Sequence, residues 1–371
     1  MYMSYVLDFL EQEDEESFIL TTDADVVFTP DSVEALLDLM TRDQSIGAVC
    51  ARTHPMGDGP LVWYQVFEYA IGHWFQKAAE HVLGSVLCAP GCFSVFRCRA
   101  LADVLPKYSR RVETPFDFLT KDMGEDRWLC TLMVQSGWRI EYCAAAENST
   151  NCPSQFEEFY KQRRRWVAST LANLMLIVKE WRYVRMLNYG VPVIFLMYQG
   201  LLLFSTLIGP STIILVVSVL GVRGFAVFCL YVSQQTQLRV AKVYTFLYAI
   251  VMTAVVVGTA VQIVTDIETG TTQSSAQSNG STTTTIGPPS EHISIDIPVS
   301  VATLYFGGLV AIFLLASFLH PREAYCLVHG VWYLLCLPSG YLVLTIYSIC
   351  NITDSSWGEL WSIVGKYAGA K

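Results

Sequence analysis

Five apolar runs in the second half of the chain, at residues 190–208, 211–232, 243–264, 299–319 and 326–350, leave it few ways to fold. Each supplies about the 20 residues needed to cross a ~30 Å hydrocarbon core. In lipid the backbone must satisfy its own polar groups, so such runs read as membrane helices. The charge falls where that reading requires. Residues 1–187 carry 18 of the 24 Lys+Arg and 26 of the 33 Asp+Glu, leaving 6 and 7 for the rest. The first half therefore reads as a water-exposed domain, and residues 188–350 as a region of about five transmembrane helices. Gly209-Pro210 is a natural break between the first two runs. Arg223 snorkels or marks an earlier exit from the second. Residues 267–292 are rich in Thr, Ser and Gly and read as a loop without fixed structure, with a sequon at Asn279-Gly280-Ser281. Basic residues precede the first, third and fifth runs: Arg163–Arg165, Arg182 and Arg185, then Arg239 and Lys242, then Arg322. The positive-inside rule then places the first half in the cytosol, loop 265–297 outside, and the tail 351–371 outside.

A chain that is 53% hydrophobic and 15% charged, with mean hydropathy +0.39, is too apolar for an ordinary soluble domain. Its net charge of −9 excludes nucleic acid as a partner, because phosphate binding needs a basic field. The acidic run at residues 11–16 reads as a solvated loop. The 11 cysteines include no Cys-x-x-Cys. Cys88, Cys92 and Cys98 lack the spacing of a zinc site, so they are expected as free thiols. Residues 1–10 begin with mixed apolar and aromatic character, as though inside a domain.

The first half alternates between strand and helix. Residues 17–28 read as a buried strand ending in a polar turn, followed by a helix from Pro30 with Asp31 or Ser32 as cap. Residues 45–52 form a second strand. Residues 62–83 have apolar positions at helical spacing, among them Phe67, Ile71, Trp74 and Phe75. Residues 86–98 read as a strand broken by Pro90-Gly91, residues 125–137 as a helix and 139–145 as a strand. The alternation predicts an α/β domain with a mainly parallel sheet. A helix over 155–179, basic at its start and apolar beyond, is expected to lead along the membrane surface, with 167–187 as an interfacial amphipathic segment.

Three clusters carry candidate chemistry. Asp23 and Asp25 end a strand, where ligands of α/β sheets bind, and i and i+2 share one face. Two hard carboxylates there suit Mg²⁺ or Mn²⁺ on a diphosphate; a helix cap and a turn aspartate would use the same residues. Glu125 and Asp126 open a helix whose positive end favours carboxylates, and one could take a proton from a hydroxyl. A capping acid beside a salt bridge to Arg127 is the plainer alternative. In Gln162-Arg163-Arg164-Arg165-Trp166, guanidinium groups suit diphosphate oxygens and the indole offers a flat face for a sugar. A basic patch on anionic lipid would look the same.

Their order and company decide between these readings. The chain resembles the animal-type chitin synthases, processive membrane glycosyltransferases of the GT-A type. The resemblance rests on Thr22-Asp23-Ala24-Asp25, the stretch from Gly59 to Trp74, Cys88-Ala89-Pro90-Gly91-Cys92-Phe93-Ser94, Gly124-Glu125-Asp126-Arg127-Trp128 and Gln162-Arg163-Arg164-Arg165-Trp166. Val257-Gly258-Thr259-Ala260-Val261-Gln262-Ile263 and His320-Pro321-Arg322-Glu323 extend it into the apolar half.

The resemblance implies a partial GT-A domain over 1–166, followed by a transmembrane bundle. It implies that Asp25 holds the divalent cation, Mg²⁺ or Mn²⁺, with Asp23 on the metal or nucleotide. Asp126 becomes the base on the acceptor 4-hydroxyl. Gln162, Arg165 and Trp166 bind the diphosphate and the growing end, and Glu68 with Pro90, Gly91 and Cys92 lines the pocket. Glu125, Arg127 and Arg163 complete the substrate-binding set. The implied reaction moves N-acetylglucosamine from its UDP donor onto a β-1,4 chitin chain with inversion, in the plasma membrane, with the bilayer as partner and a homo-oligomer left open.

Two departures accompany it. The family's catalytic domain begins upstream of the residues matched here, so this chain alone is expected to lack part of the nucleotide site. Ser356-Trp357-Gly358-Glu359-Leu360-Trp361 stands where the family has Ser-Trp-Gly-Thr-Arg-Glu, which bears on polymer output; the segment near 219–234 is also shorter than usual. The competing readings are a hyaluronan- or cellulose-type synthase and a non-catalytic, synthase-derived scaffold.

Overall fold

The computed structural model describes residues 17–217, 222–278 and 301–354. The acidic run 11–16, the sequon at Asn279 and the altered block at Ser356–Trp361 lie outside them. Five strands form one sheet: β1 (Phe18–Thr22), β2 (Val27–Phe28), β3 (Ile46–Met56), β4 (Phe93–Arg97) and β5 (Arg139–Asn151), in the order β1-β4-β3-β5-β2. The expected parallel sheet is corrected. Among these strands β3 and β5 pair in parallel, while β1/β4, β3/β4 and β2/β5 are antiparallel.

The reversal has a physical cause in the connection. After β3 the chain enters α2, in which Pro60–Ile71 continues through a π-helical turn, Gly72–Lys77, into Ala78–Leu83. This rod carries the chain back past the start of β5, where Val86 N–H donates to Ile140 O at 2.8 Å. Residues 86–92 then climb the sheet again, so β4 starts at the far end and runs down, with Thr22 paired to Phe93. Alternating strands and helices leave strand direction open, since a helix followed by an extended return restores the chain to the end it left.

Both faces of β3 are buried, which explains its unbroken apolar run. Before it, α1 (Pro30–Arg42) starts with Pro30, whose missing N–H costs nothing in a first turn. Its Leu36 and Met40 cover Val49, Ala51, Phe93 and Val95. The opposite face, with Ala48, Cys50 and Phe96, packs on Leu101 and Val104 of α3 (Cys98–Tyr108), Met133 of α4 (Glu125–Gln135) and Ile177 of α5 (Phe156–Lys179).

Beyond α5 come α6 (Trp181–Leu187), α7 (Val193–Val217), α8 (Val222–Tyr231), α9 (Gln234–Ser278), α10 (Val301–Leu319) and α11, which runs from Cys326–Pro338 through a π-helical turn into Leu344–Cys350. Among the described residues, two stretches, Gln234–Asp266 and Cys326–Cys350, are long and apolar enough to cross a membrane; Val193–Gly209 and Thr303–Leu319 are shorter apolar helices. The break expected at Gly209-Pro210 is not a helix end, because α7 continues through it; a proline loses one backbone bond, which an apolar helix can tolerate. The Thr/Ser-rich stretch from 267 also extends α9 as helix to Ser278. Phe225, Leu238, Tyr248, Leu342 and Tyr347 of these helices pack on Phe159 and Tyr160 at the start of α5. That helix thus joins the sheet unit to the apolar unit.

Candidate active site

The upper end of the sheet gathers the carboxylates. β1 ends at Thr22, and Asp23 N–H donates to Cys92 O at 3.1 Å, placing Asp23 beside the Pro90-Gly91-Cys92 loop. Asp25 lies exposed two residues beyond, and its Oδ2 accepts from Thr150 Oγ1 at 3.4 Å. Across the loop, Gly91 N–H donates to Asp126 Oδ2 at 3.0 Å. A β-carbon at Gly91 would fall 3.0 Å from Asp126 Oδ1, so a glycine suits this close approach. Pro90 is held in turn, its carbonyl accepting from Ser94 Oγ at 2.7 Å.

The electrostatics show how close the groups lie. Burial pushes the half-buried Asp126 carboxyl up to about 6; the Gly91 N–H opposes this, while Glu125 and Asp23 add to it. Asp23 is raised by burial first, then by the charges of Asp25 and Glu125. Four carboxylates therefore share one field. Arg165 from α5 enters it: burial lowers its guanidinium, and Glu125 and Asp126 counter that. Burial pushes the Cys92 thiol up to about 11, and Asp23 and Asp126 act in the same direction. A thiol there is protonated near neutral pH and serves as an apolar wall.

The rest of the arginine cluster divides. Arg163 turns inward, 4% exposed, and pairs with Glu68 of α2. Its guanidinium also lies 4.1 Å from the centre of the Trp166 ring and donates to Gln162 Oε1 at 3.1 Å. Arg163 and Glu68 thus brace the wall, and Trp166, 36% exposed, keeps surface open for a ring to stack. Arg164 is buried and pairs with Asp354, just past the end of α11. Arg127 lies in the fields of Asp126 and Glu80, behind the cleft.

Sequence reasoning passed over the packing that aligns α4 with α5. A β-carbon at Gly124 would fall 1.9 Å from Ser169 Oγ and 2.6 Å from Ser169 Cβ, so the helix carrying Asp126 rests directly on α5. Asn173, one turn on, accepts from Thr131 Oγ1 at 3.0 Å and donates to Thr120 O at 3.3 Å. The available signal was Ser169 and Asn173, two polar residues at i and i+4 on a buried helical stripe.

Residues 10–267 match the family described as Chitin synthase. The chain belongs to the chitin synthase family. It is 42% identical over 364 residues to chitin synthase chs-2 of Caenorhabditis elegans, covering 93% of this chain and 20% of that one. It is 38% identical over 402 residues to chitin synthase chs-1 of the same organism, covering 100% and 28%. The chain thus spans a fifth to just over a quarter of these two relatives. A solved structure, the mannosyltransferase PcManGT from Pyrobaculum calidifontis in complex with GDP-Man and Mn²⁺, overlaps 56% of this chain and 50% of that one. Its identity is 14% and its TM-score 0.36, too loose to bear on the chemistry of the site. All five strands of the sheet and the helices that cover it lie within the matched stretch.

Proposed function

We propose that the chain supplies the acceptor side of a GT-A catalytic centre and the adjoining membrane helices of a chitin-forming synthase. The observation that carries the reading is the Asp126 carboxylate, pinned by the Gly91 N–H in a cleft that also receives Asp23, Glu125 and Arg165. A carboxyl raised to about 6 is ionised at neutral pH yet basic enough to take a proton, as a general base must. Asp126 takes the proton of the acceptor 4-hydroxyl as its oxygen attacks the anomeric carbon, inverting it. Trp166 supports the acceptor sugar, and Arg165 with Gln162 faces the diphosphate.

Asp25 and Asp23 fit a divalent cation. They are hard oxygens just past a strand end, and their mutual repulsion with Glu125 is relieved by added positive charge. Bound there, Mg²⁺ or Mn²⁺ supplies charge that stabilises the departing diphosphate. The apolar helices would cross the plasma membrane with the sheet on the cytosolic side, since the basic residues cluster there.

The test is a full-length synthase containing this chain, given labelled UDP-N-acetylglucosamine. A chitinase-sensitive polymer is expected, falling at least ~100-fold in Asp126→Asn. Polymer made at wild-type rate by that variant removes Asp126 as the base. Label taken only from UDP-glucose or UDP-glucuronate moves the reading to a sibling synthase.

A further inference from the structure

Away from the carboxylate cleft, His54 of β3, Glu147 of β5 and Glu323 of the turn between α10 and α11 converge. One ligand atom from each lies within 4.8 Å of the others. His54 Nε2 stands 3.8 Å from Glu147 Oε2 and 3.8 Å from Glu323 Oε1, too far for hydrogen bonds. It is buried, and has no hydrogen-bond partner among the described residues. Ligands about 2.0–2.2 Å from a divalent ion sit roughly 3–3.5 Å apart. Each 3.8 Å His54–carboxylate gap therefore needs to close by a few tenths of an ångström, and the two carboxylates, within 4.8 Å of each other, by at most about 1.5 Å.

Two further features favour an ion. Glu323 Oε2 pairs with the Arg52 guanidinium and accepts from Trp74 Nε1 at 2.9 Å. These donors hold the carboxylate with Oε1 facing His54, the kind of outer support metal-ligating groups have. Arg52 and Glu147 are also register partners, two residues before the His54–Ser149 pair. Alternation puts Arg52, His54 and Glu147 on one face of the sheet and Thr53 and Thr150 on the other. Thr53 and Thr150 are the residues that touch Cys92 and Asp25. The triad therefore shares no ligand with Asp23 and Asp25.

We propose that His54, Glu147 and Glu323 bind one divalent first-row transition metal ion, which fastens the turn between the last two apolar helices to the catalytic sheet. One imidazole and two carboxylates suit Zn²⁺ or Mn²⁺, with water in the remaining positions. The role is structural, because Glu323 comes from the apolar unit and its two partners from adjacent strands.

The test uses the full chain, purified in detergent, stripped by a chelator and dialysed against Zn²⁺. Bound metal is counted by mass spectrometry, and Co²⁺ substitution is followed by its visible bands. In Asp25→Asn, which removes the other candidate cation site, one Zn²⁺ per chain is expected, weakened at least ~10-fold when either His54→Ala or Glu147→Gln is added. Glu147 is half exposed at its side chain, 53%, so Glu147→Gln tests ligation even if His54→Ala fails to fold. Zinc held equally by Asp25→Asn with and without Glu147→Gln overturns the assignment, as does no binding by Asp25→Asn at ~100 times the protein concentration. No sugar transfer is measured, so the result stands apart from the synthase reading.

Discussion

Asp126 meets two opposing demands. Burial near other carboxylates makes its charge costly, and a general base must carry that charge. With its carboxyl raised to about 6 from an ordinary value of 3.8, transfer is expected to rise with pH through about 6 and then level off. Stability runs the other way. The folded state holds this proton more tightly than the unfolded chain, so the contribution is fully present below about 4 and lost as pH rises through about 6, roughly 3 kcal/mol in all. Asp126→Asn should therefore abolish transfer while leaving the melting temperature above pH 6 equal to or higher than wild type. A variant that loses both would make Asp126 a packing residue. Gly91→Ala places a β-carbon 3.0 Å from Asp126 Oδ1, and is expected to lower kcat without changing the melt by more than a few degrees.

At the scale of elements, the cleft depends on how closely α4 lies on α5. Gly124→Ala would drive a β-carbon into Ser169, costing about 1–3 kcal/mol and tilting Asp126 away from Arg165. Ser169→Gly in the same chain removes the obstructing atoms, and should restore much of the melt and the activity. If the double variant is no better than Gly124→Ala, the contact is not what aligns the helices. Glu68→Gln strands the buried Arg163 without its partner and should destabilise the protein by about 3 kcal/mol in thermal unfolding. It should also loosen Trp166, whose ring Arg163 covers, seen as a red shift in tryptophan emission.

Across the whole molecule, α5 ties the sheet unit to the apolar helices. Arg164, 1% exposed, pairs with Asp354, and Gln234 at the start of α9 donates to the same carboxylate at 2.8 Å. This node lies one residue from Arg165 and two from Trp166. Asp354→Ala leaves Arg164 buried and unpaired, and should lower the melt in detergent by a few kcal/mol of unfolding free energy. It should also raise protease cleavage between the two units. A melt and cleavage pattern like wild type would show that the units are held by apolar packing alone.

Much of this architecture is legible along the chain. The α/β alternation and the helices expected over 62–83 and 125–137 follow from periodicity, which acts between near neighbours, and each helix lies within about two residues of the one found. The cap expected at Asp31 or Ser32 falls instead on Thr29, and the clusters around Asp23, Asp126 and Arg165 are singled out by their resemblance to a family rather than by local pattern. Strand direction did not follow, because it depends on where the return after α2 delivers the chain. The division of the arginines did not follow either: three adjacent guanidinium groups read alike, yet helix geometry sends Arg163 to Glu68, Arg164 to Asp354 and Arg165 toward Asp126. The meeting of His54 and Glu147 with Glu323, separated by most of the chain, could come only from the packed fold. Local sequence determines which residues can bear charge or enter an apolar core. Only tertiary packing decides which charges face one another, because that depends on distances between segments that no spacing in the sequence records.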